Sequence, residues 1–287
     1  MPKTLPETPL ADPSPPTGGR VGCVSFLNAT PLIEGLEDLG EDEVVLDVPS
    51  GLLRRLESDE VDVALCPVID YFRSAASLEV IPVGAISCAG PTLTVRLFSR
   101  VEAPRIERVH VDMDSHTSVV LLRVLLAQCF QVRPELVPYH PERDPAPSDA
   151  CMLIGDKVVT APPAIPMPHQ IDLGELWHTT TGLPFVFAIW MRRSGVDIGN
   201  MPQRLAETRR RNADRIEAIA LRHAAEHGWS VPVARRYLGS LLHFHVTSRH
   251  LRAIETFAEM AVTEGILPRR RKLQLCHACS EIATDPT

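Results

Sequence analysis

Aromatic residues are scarce in this chain, at 5% of 287 positions, so its core must be built mainly from Val, Leu, Ile and Ala; apolar types together reach 45%, as in a globular protein. Positive charge is also in short supply. The 29 Lys and Arg are outnumbered by 36 Asp and Glu, which gives a net charge of −7 and a pI of about 5.9. A nucleic-acid binder needs a positive face, so the balance argues against one and leaves only a local basic patch open. There is no run of 18 apolar residues, and no membrane span is expected. GxGxxG, the Gly-rich Lys-Ser/Thr loop, HExxH and GxSxG are all missing, which removes the usual signatures of nucleotide, metalloprotease and serine-hydrolase chemistry. The seven cysteines are odd in number and scattered; several sit in apolar runs and read as buried thiols, not as a disulfide framework. Cys276 and Cys279 have CxxC spacing but lack two further ligands, so no metal is expected.

The first 19 residues hold six prolines and no apolar signal core. The segment 1–19 is expected to be a disordered tail, and the protein to be cytoplasmic. From 20 to about 100, strand and helix signals alternate: strands at 20–25, 44–48, 61–66, 78–86 and 92–99, and helices at 28–39, 51–56 (with Ser50 as N-cap) and 68–76. Such alternation predicts parallel strands with crossover helices. A second block has strands at 109–111 and 152–154 and a helix at 117–130 that is apolar nearly all round. Proline-rich stretches at 131–150 and 162–168 read as loops. TGLPFVFAIW at 181–190 fits an ordinary core strand after a turn, or a connector running into a buried strand. Beyond 202 the pattern is helical, at 203–228, 231–243 and 248–264, with His243 and His245 expected on an apolar helix, Gly265 as the stop and 269–272 as a solvated helix end.

The fold class expected is α/β and two-lobed, with a cleft between lobes. Lobe 1 takes 20–105, lobe 2 takes 106–190 including the crossover back, 191–267 is a helical return to lobe 1, and 268–287 is a C-terminal tail. Ligands in α/β folds bind at the carboxyl ends of strands, and in a two-lobed fold those ends face each other. Ser25–Asn28 follows a strand and opens a helix; Asn28 is either a helix cap or a ligand-facing amide. At Asp114–Ser118, hydroxyls and the free N–H groups of a helix start converge, a terminus able to hold a carboxylate without lysine or simply a well-capped helix. After Ser87 and Gly90, Thr92 and Thr94 fall on one strand face, where Thr94 either aims its hydroxyl at the cleft or serves as a β-former. Asp156, in Gly155–Asp156–Lys157, is a ligand-facing acid or a turn residue.

Six segments in order, VSFLNATPL (24–32), SGLLRRLESDEVDVALCPVIDY (50–71), GPTLTVRLFS (90–99), DSHTSVVLL (114–122), LIGDKVV (153–159) and DLGELWHTTTGLPFVFAIW (172–190), make the region 20–267 resemble the chorismate dehydratase family of the futalosine route to menaquinone. The resemblance implies a periplasmic-binding-protein-like (type II) fold and a cofactor-free hydro-lyase. Its substrate would be chorismate and its product 3-[(1-carboxyvinyl)oxy]benzoate. It further implies catalytic roles for Asn28 and Thr94, the latter standing where the family most often has serine. Ser25, Ser87, Gly90, Ser115, His116, Thr117, Ser118, Asp156 and Phe185 would line the substrate site. No histidine or glutamate stands out as a base, so the substrate's own enolpyruvyl carboxylate is the expected proton acceptor. The alternatives are 1,4-dihydroxy-6-naphthoate synthase, which needs a histidine base at the cleft, a carrier of small anions, and a cytoplasmic ligand sensor.

Overall fold

A computed structural model describes residues 19–39, 42–141, 143–144 and 149–276. Of the expected tail at 1–19 all but Gly19 lies outside the described residues, as does Cys279. Two sheets form, each with helices packed on its faces.

In the first sheet, β1 (Arg20–Val24) pairs in parallel with β2 (Glu43–Asp47) and β3 (Val63–Pro67). The linking helices are α1 (Thr30–Ile33), α2 (Pro49–Glu57) and, after β3, α3 (Val68–Arg73). The long strand β4 (Leu78–Cys88) does not lie against β3. Between them runs β10 (Phe185–Arg193), antiparallel to both. Its sequence FVFAIWM is apolar without alternation because both faces are covered, and the first seven residues are buried.

The second sheet repeats this plan with no sequence likeness. β6 (Arg108–Asp112) pairs in parallel with β7 (Glu135–Tyr139) and β8 (Ala150–Ile154), while β5 (Val95–Ser99) comes in antiparallel between β8 and β9 (His169–Asp172). Its helices are α4 (His116–Phe130), α5 (Lys157–Thr160) and α6 (Leu173–Thr181). Each sheet therefore accepts one strand from across the cleft, and the all-parallel expectation fails at those strands. The chain crosses at 89–94 and 182–184, so β5 belongs to the second sheet and β10 to the first; boundaries near 105 and 190 do not match these sheets.

Trp177, Phe185 and Phe257 stack edge to face at 5.0–5.9 Å beside the second crossing, and Gly182, left-handed at φ 69°, ends α6 there. Phe185 is thus a core residue at the crossing.

Other local expectations give way to backbone detail. The 28–39 helix is broken into a 3-10 turn (Leu27–Ala29), α1 and a further turn. α2 starts at Pro49, so Ser50 lies inside it; proline at the first position needs no N–H partner. Strand β5 starts only at Val95, because Leu93 has φ 67° and interrupts the extended run. Prolines in 131–150 do not prevent β7, an edge strand. The 203–228 helix is two, α7 (Met201–Ala213) and α8 (Ile216–His223). The 231–243 helix is α9 (Val231–Arg236), then a π turn (Tyr237–Leu241), then β11 (Leu242–His243) against the end of β4. His243 is therefore on a strand, and His245 precedes α10 (Ser248–Thr263). Arg271, expected in a solvated helix end, donates to the carbonyls of Tyr71 in the last turn of α3 and of Ser74 and Ala76 just past it, and stacks on the Tyr71 ring at 4.6 Å. Arginine supplies the donors that a helix C-terminus lacks.

Candidate functional site

A small cavity of about 50 Å³ lies where the carboxyl ends of the two sheets meet. Val24, Phe26, Asn28, Ile86, Phe187, Ala188, Tyr237 and Leu242 line it from the first lobe, Ser115, Ser118, Ile154 and Gly155 from the second, and Thr92, Thr94 and Val95 from the crossing. Pro49 and Pro67, at the starts of α2 and α3, complete the wall. None of the residues named as its lining carries an ionisable acid or base of Asp, Glu, His, Lys or Arg.

Three polar groups form a chain on one side. Asn28 Nδ2 donates to the Tyr237 hydroxyl at 3.2 Å, and that hydroxyl is 2.7 Å from Thr94 Oγ1. Either hydroxyl can donate in the Tyr237–Thr94 contact, and Thr94 Oγ1 also donates to the Thr92 carbonyl at 3.5 Å, a long bond that a ligand acceptor could replace. Asn28 Oδ1 is buried with no protein partner. Tyr237 is fully buried, and burial pushes its phenol well above the usual range despite the hydrogen bonds from Thr94 and Asn28, so it stays protonated. Trp229 stacks on it at 4.9 Å.

On the other side Ser115 caps α4. Its Oγ accepts from the Ser118 N–H at 3.3 Å and lies 3.0 Å from Ser118 Oγ. The N–H groups at 116 and 117 have no intrahelical partner by position, and the helix dipole adds positive potential. Such a terminus can take a carboxylate without a cationic side chain.

The other residues singled out in the sequence surround this cavity without forming its wall. Thr117 is buried and accepts from the Ile69 N–H at 3.3 Å, while His116 Nδ1 meets Asp70 at 2.8 Å; both tie α4 to α3. Ser87 donates to the His243 carbonyl at 2.7 Å, which pins β11. Ser25 is exposed in a neighbouring depression, and Gly90 is buried with its carbonyl against Gly174. Phe185 packs within the aromatic cluster, and Phe187, whose ring lies 4.7 Å from it, reaches the cavity. Asp156 contacts the first lobe through Leu27, His227 and Trp229 and does not line the cavity. Lys157 is committed to Asp112 and Asp114 at 2.6 Å each.

Two residues that matter here escaped the sequence reading. Nothing local marks Tyr237, which is brought in by the π turn. Asp172 does carry a signal, an acid three residues before Glu175 at a helix start. Its carboxylate accepts from the N–H groups of Thr92, Leu93, Gly174 and Glu175 at 2.7–3.2 Å. One side chain therefore caps α6 and holds Leu93 in its left-handed conformation, and so sets Thr94 against Tyr237.

A family model described as menaquinone biosynthesis matches residues 19–263. Among individual proteins, chorismate dehydratase of Thermus thermophilus is 29% identical over 260 residues, covering 83% of this chain and 93% of its own. Solved structures share the fold at low identity. A protein from Archaeoglobus fulgidus superposes with TM-score 0.66 at 15% identity, over 87% of this chain and 98% of its own. The alkanesulfonate-binding protein SsuA of Xanthomonas axonopodis, bound to MOPS, gives 0.63 at 16% over 89% and 96%. A Candida albicans protein described as having the generic periplasmic binding protein fold gives 0.66 at 13% over 92% and 98%. The fold of this chain is that of periplasmic binding proteins.

Proposed function

The chain belongs to the menaquinone-biosynthesis family, and on that premise we propose that it is a chorismate dehydratase, a hydro-lyase that needs no cofactor. The observation that carries this reading is a cleft lined by amide, hydroxyl and apolar groups with no charged side chain in its wall. In the reaction the ring carbon bearing the ether loses a proton, the neighbouring carbon loses hydroxide, and the ring becomes aromatic. Aromatisation supplies most of the driving force, so the protein's task is to orient the substrate and keep water out.

The start of α4 at Ser115–Ser118 holds the ring carboxylate. The Thr94 hydroxyl, polarised by Tyr237 and Asn28, donates to the departing hydroxyl, and Asn28 Oδ1 accepts from the substrate. The enolpyruvyl carboxylate takes the ring proton, since no acid or imidazole faces the cavity among the described residues. The same lack of histidine disfavours 1,4-dihydroxy-6-naphthoate synthase, whose chemistry needs that base. Asn28 and Thr94 are accordingly the catalytic pair, with Tyr237 as a positioning residue between them.

Mixing the purified chain with chorismate, with nothing else added, tests the reading. Loss of one water, seen by mass together with the ultraviolet spectrum of a substituted benzoate, is expected. Chorismate that binds and is recovered unchanged would identify a carrier or sensor and overturn it.

A further inference from the structure

The Asp156 carboxylate, on the second lobe, faces three donors of the first. It accepts from the Trp229 indole N–H at 3.0 Å and the Leu27 N–H at 3.4 Å, and it meets His227 Nδ1 at 2.9 Å. All three belong to elements that touch the site. Leu27 opens the turn that carries Asn28, and Trp229 stacks on Tyr237, which bonds both Asn28 and Thr94. Asp156 itself follows Gly155, whose N–H donates to the Thr94 carbonyl at 2.9 Å. A single carboxylate of one lobe is thus bonded to both supports of the hydrogen-bond chain on the other.

From this juxtaposition we infer that Asp156, with His227 and Trp229, is a latch that draws the lobes together and sets the Asn28–Tyr237–Thr94 chain, making Asp156 a positioning residue, not a ligand of the substrate. The inference rests on the proposed reaction only for the meaning of closure, not for the latch itself. His227 is raised above its usual value, first by the hydrogen bond to Asp156 and then by the charges of Asp156 and Glu226. The sign follows. A raised histidine contributes its full stabilisation below its unfolded value, and the contribution fades as pH rises through the folded value. Above that point the neutral ring still donates, but without charge assistance, and the latch weakens. The other ionisable groups nearby have partners of their own: His223 meets Glu34 and Glu226, and Lys157 meets Asp112 and Asp114.

The test reads lobe closure and catalysis separately on the full chain. Small-angle X-ray scattering, with and without chorismate, gives the radius of gyration. The fluorescence of Trp229, isolated by subtracting Trp229→Phe, reports the latch. Between pH 6 and 9 the wild type should expand and the Trp229 signal should shift. Asp156→Asn should be expanded at every pH, with kcat lowered roughly tenfold, a loss of about 1.4 kcal/mol. His227→Asn places a non-titrating amide where Nδ1 was; it should restore closure and remove the pH dependence. If Asp156→Asn melts below the assay temperature, the His227→Asn comparison still decides. A wild type whose scattering and Trp229 signal are pH-independent, or a His227→Asn variant that keeps the full pH dependence, overturns the latch. Were chorismate left unchanged while both physical signals behaved as described, the latch would stand and the dehydratase reading would fail.

Discussion

The two walls of the cleft are built from the same strand plan and yet differ in what they offer. The first-lobe wall is largely apolar. Phe187 and Ala188 sit on a strand hemmed in on both sides, and the polar atoms there, on Asn28 and Tyr237, face each other. The second-lobe wall presents a helix start, with Ser115 and Ser118 and backbone N–H groups and little apolar surface beyond Ile154. On the proposed mechanism one wall activates the departing hydroxyl and the other holds the negative charge, and neither is a site without its counterpart. Variants on the two walls should therefore fail in different ways.

The largest effect is expected on the first wall. Asn28→Leu removes both the donor to Tyr237 and the unpartnered acceptor, and kcat should fall roughly 100-fold with KM within about threefold, the range for a lost transition-state hydrogen bond. The pH profile of the residual activity should show no ionisation of a protein base; a bell assigned to an acidic side chain would refute the substrate-base route.

A second variant breaks the comparison at the crossing that joins the walls. A β-carbon on Gly174 would come within 2.6 Å of Cys88 Sγ and 2.8 Å of the Gly90 carbonyl. Because the carbonyl is backbone, Gly174→Ala should cost about 2 kcal/mol and lower Tm by roughly 4–8 °C. Thermal unfolding of the purified variant checks it; an unchanged Tm would mean the crossing is softer than the geometry implies.

The smallest effect belongs to the second wall. Ser118→Ala should raise KM roughly fivefold and leave kcat within about twofold, because a carboxylate bound equally in ground and transition states contributes only to uniform binding. A loss confined to kcat would erase the distinction between the walls.

The same contrast explains what the sequence revealed. α4 was legible because nine of its positions are buried and its start is spelled out by Ser-x-x-Ser. β3 and β10 were legible as unbroken apolar runs. What stayed hidden depends on partners far along the chain. No local pattern tells that β10 returns between β3 and β4, since antiparallel insertion is decided by the other lobe's crossing. Tyr237 reaches Asn28 from 209 residues away and Thr94 from 143. Leu93 looks like a strand residue by alternation, and only the Asp172 carboxylate accounts for its left-handed backbone. Phe185 and Phe187 stand two apart on one strand with their rings 4.7 Å apart, and no periodicity tells which of them meets the cleft; Phe185 is held back among Trp177 and Phe257.

Soaking or co-crystallising the protein with 3-[(1-carboxyvinyl)oxy]benzoate and locating its carboxylates tests the central claim most directly. The expected density places the ring carboxylate on the N–H groups at the start of α4 and on Ser115 and Ser118, the ring between Phe187 and Ile154, and no Lys or Arg in contact with either carboxylate. Density for the benzoate outside this cavity, or a carboxylate paired with a cationic side chain, would contradict it.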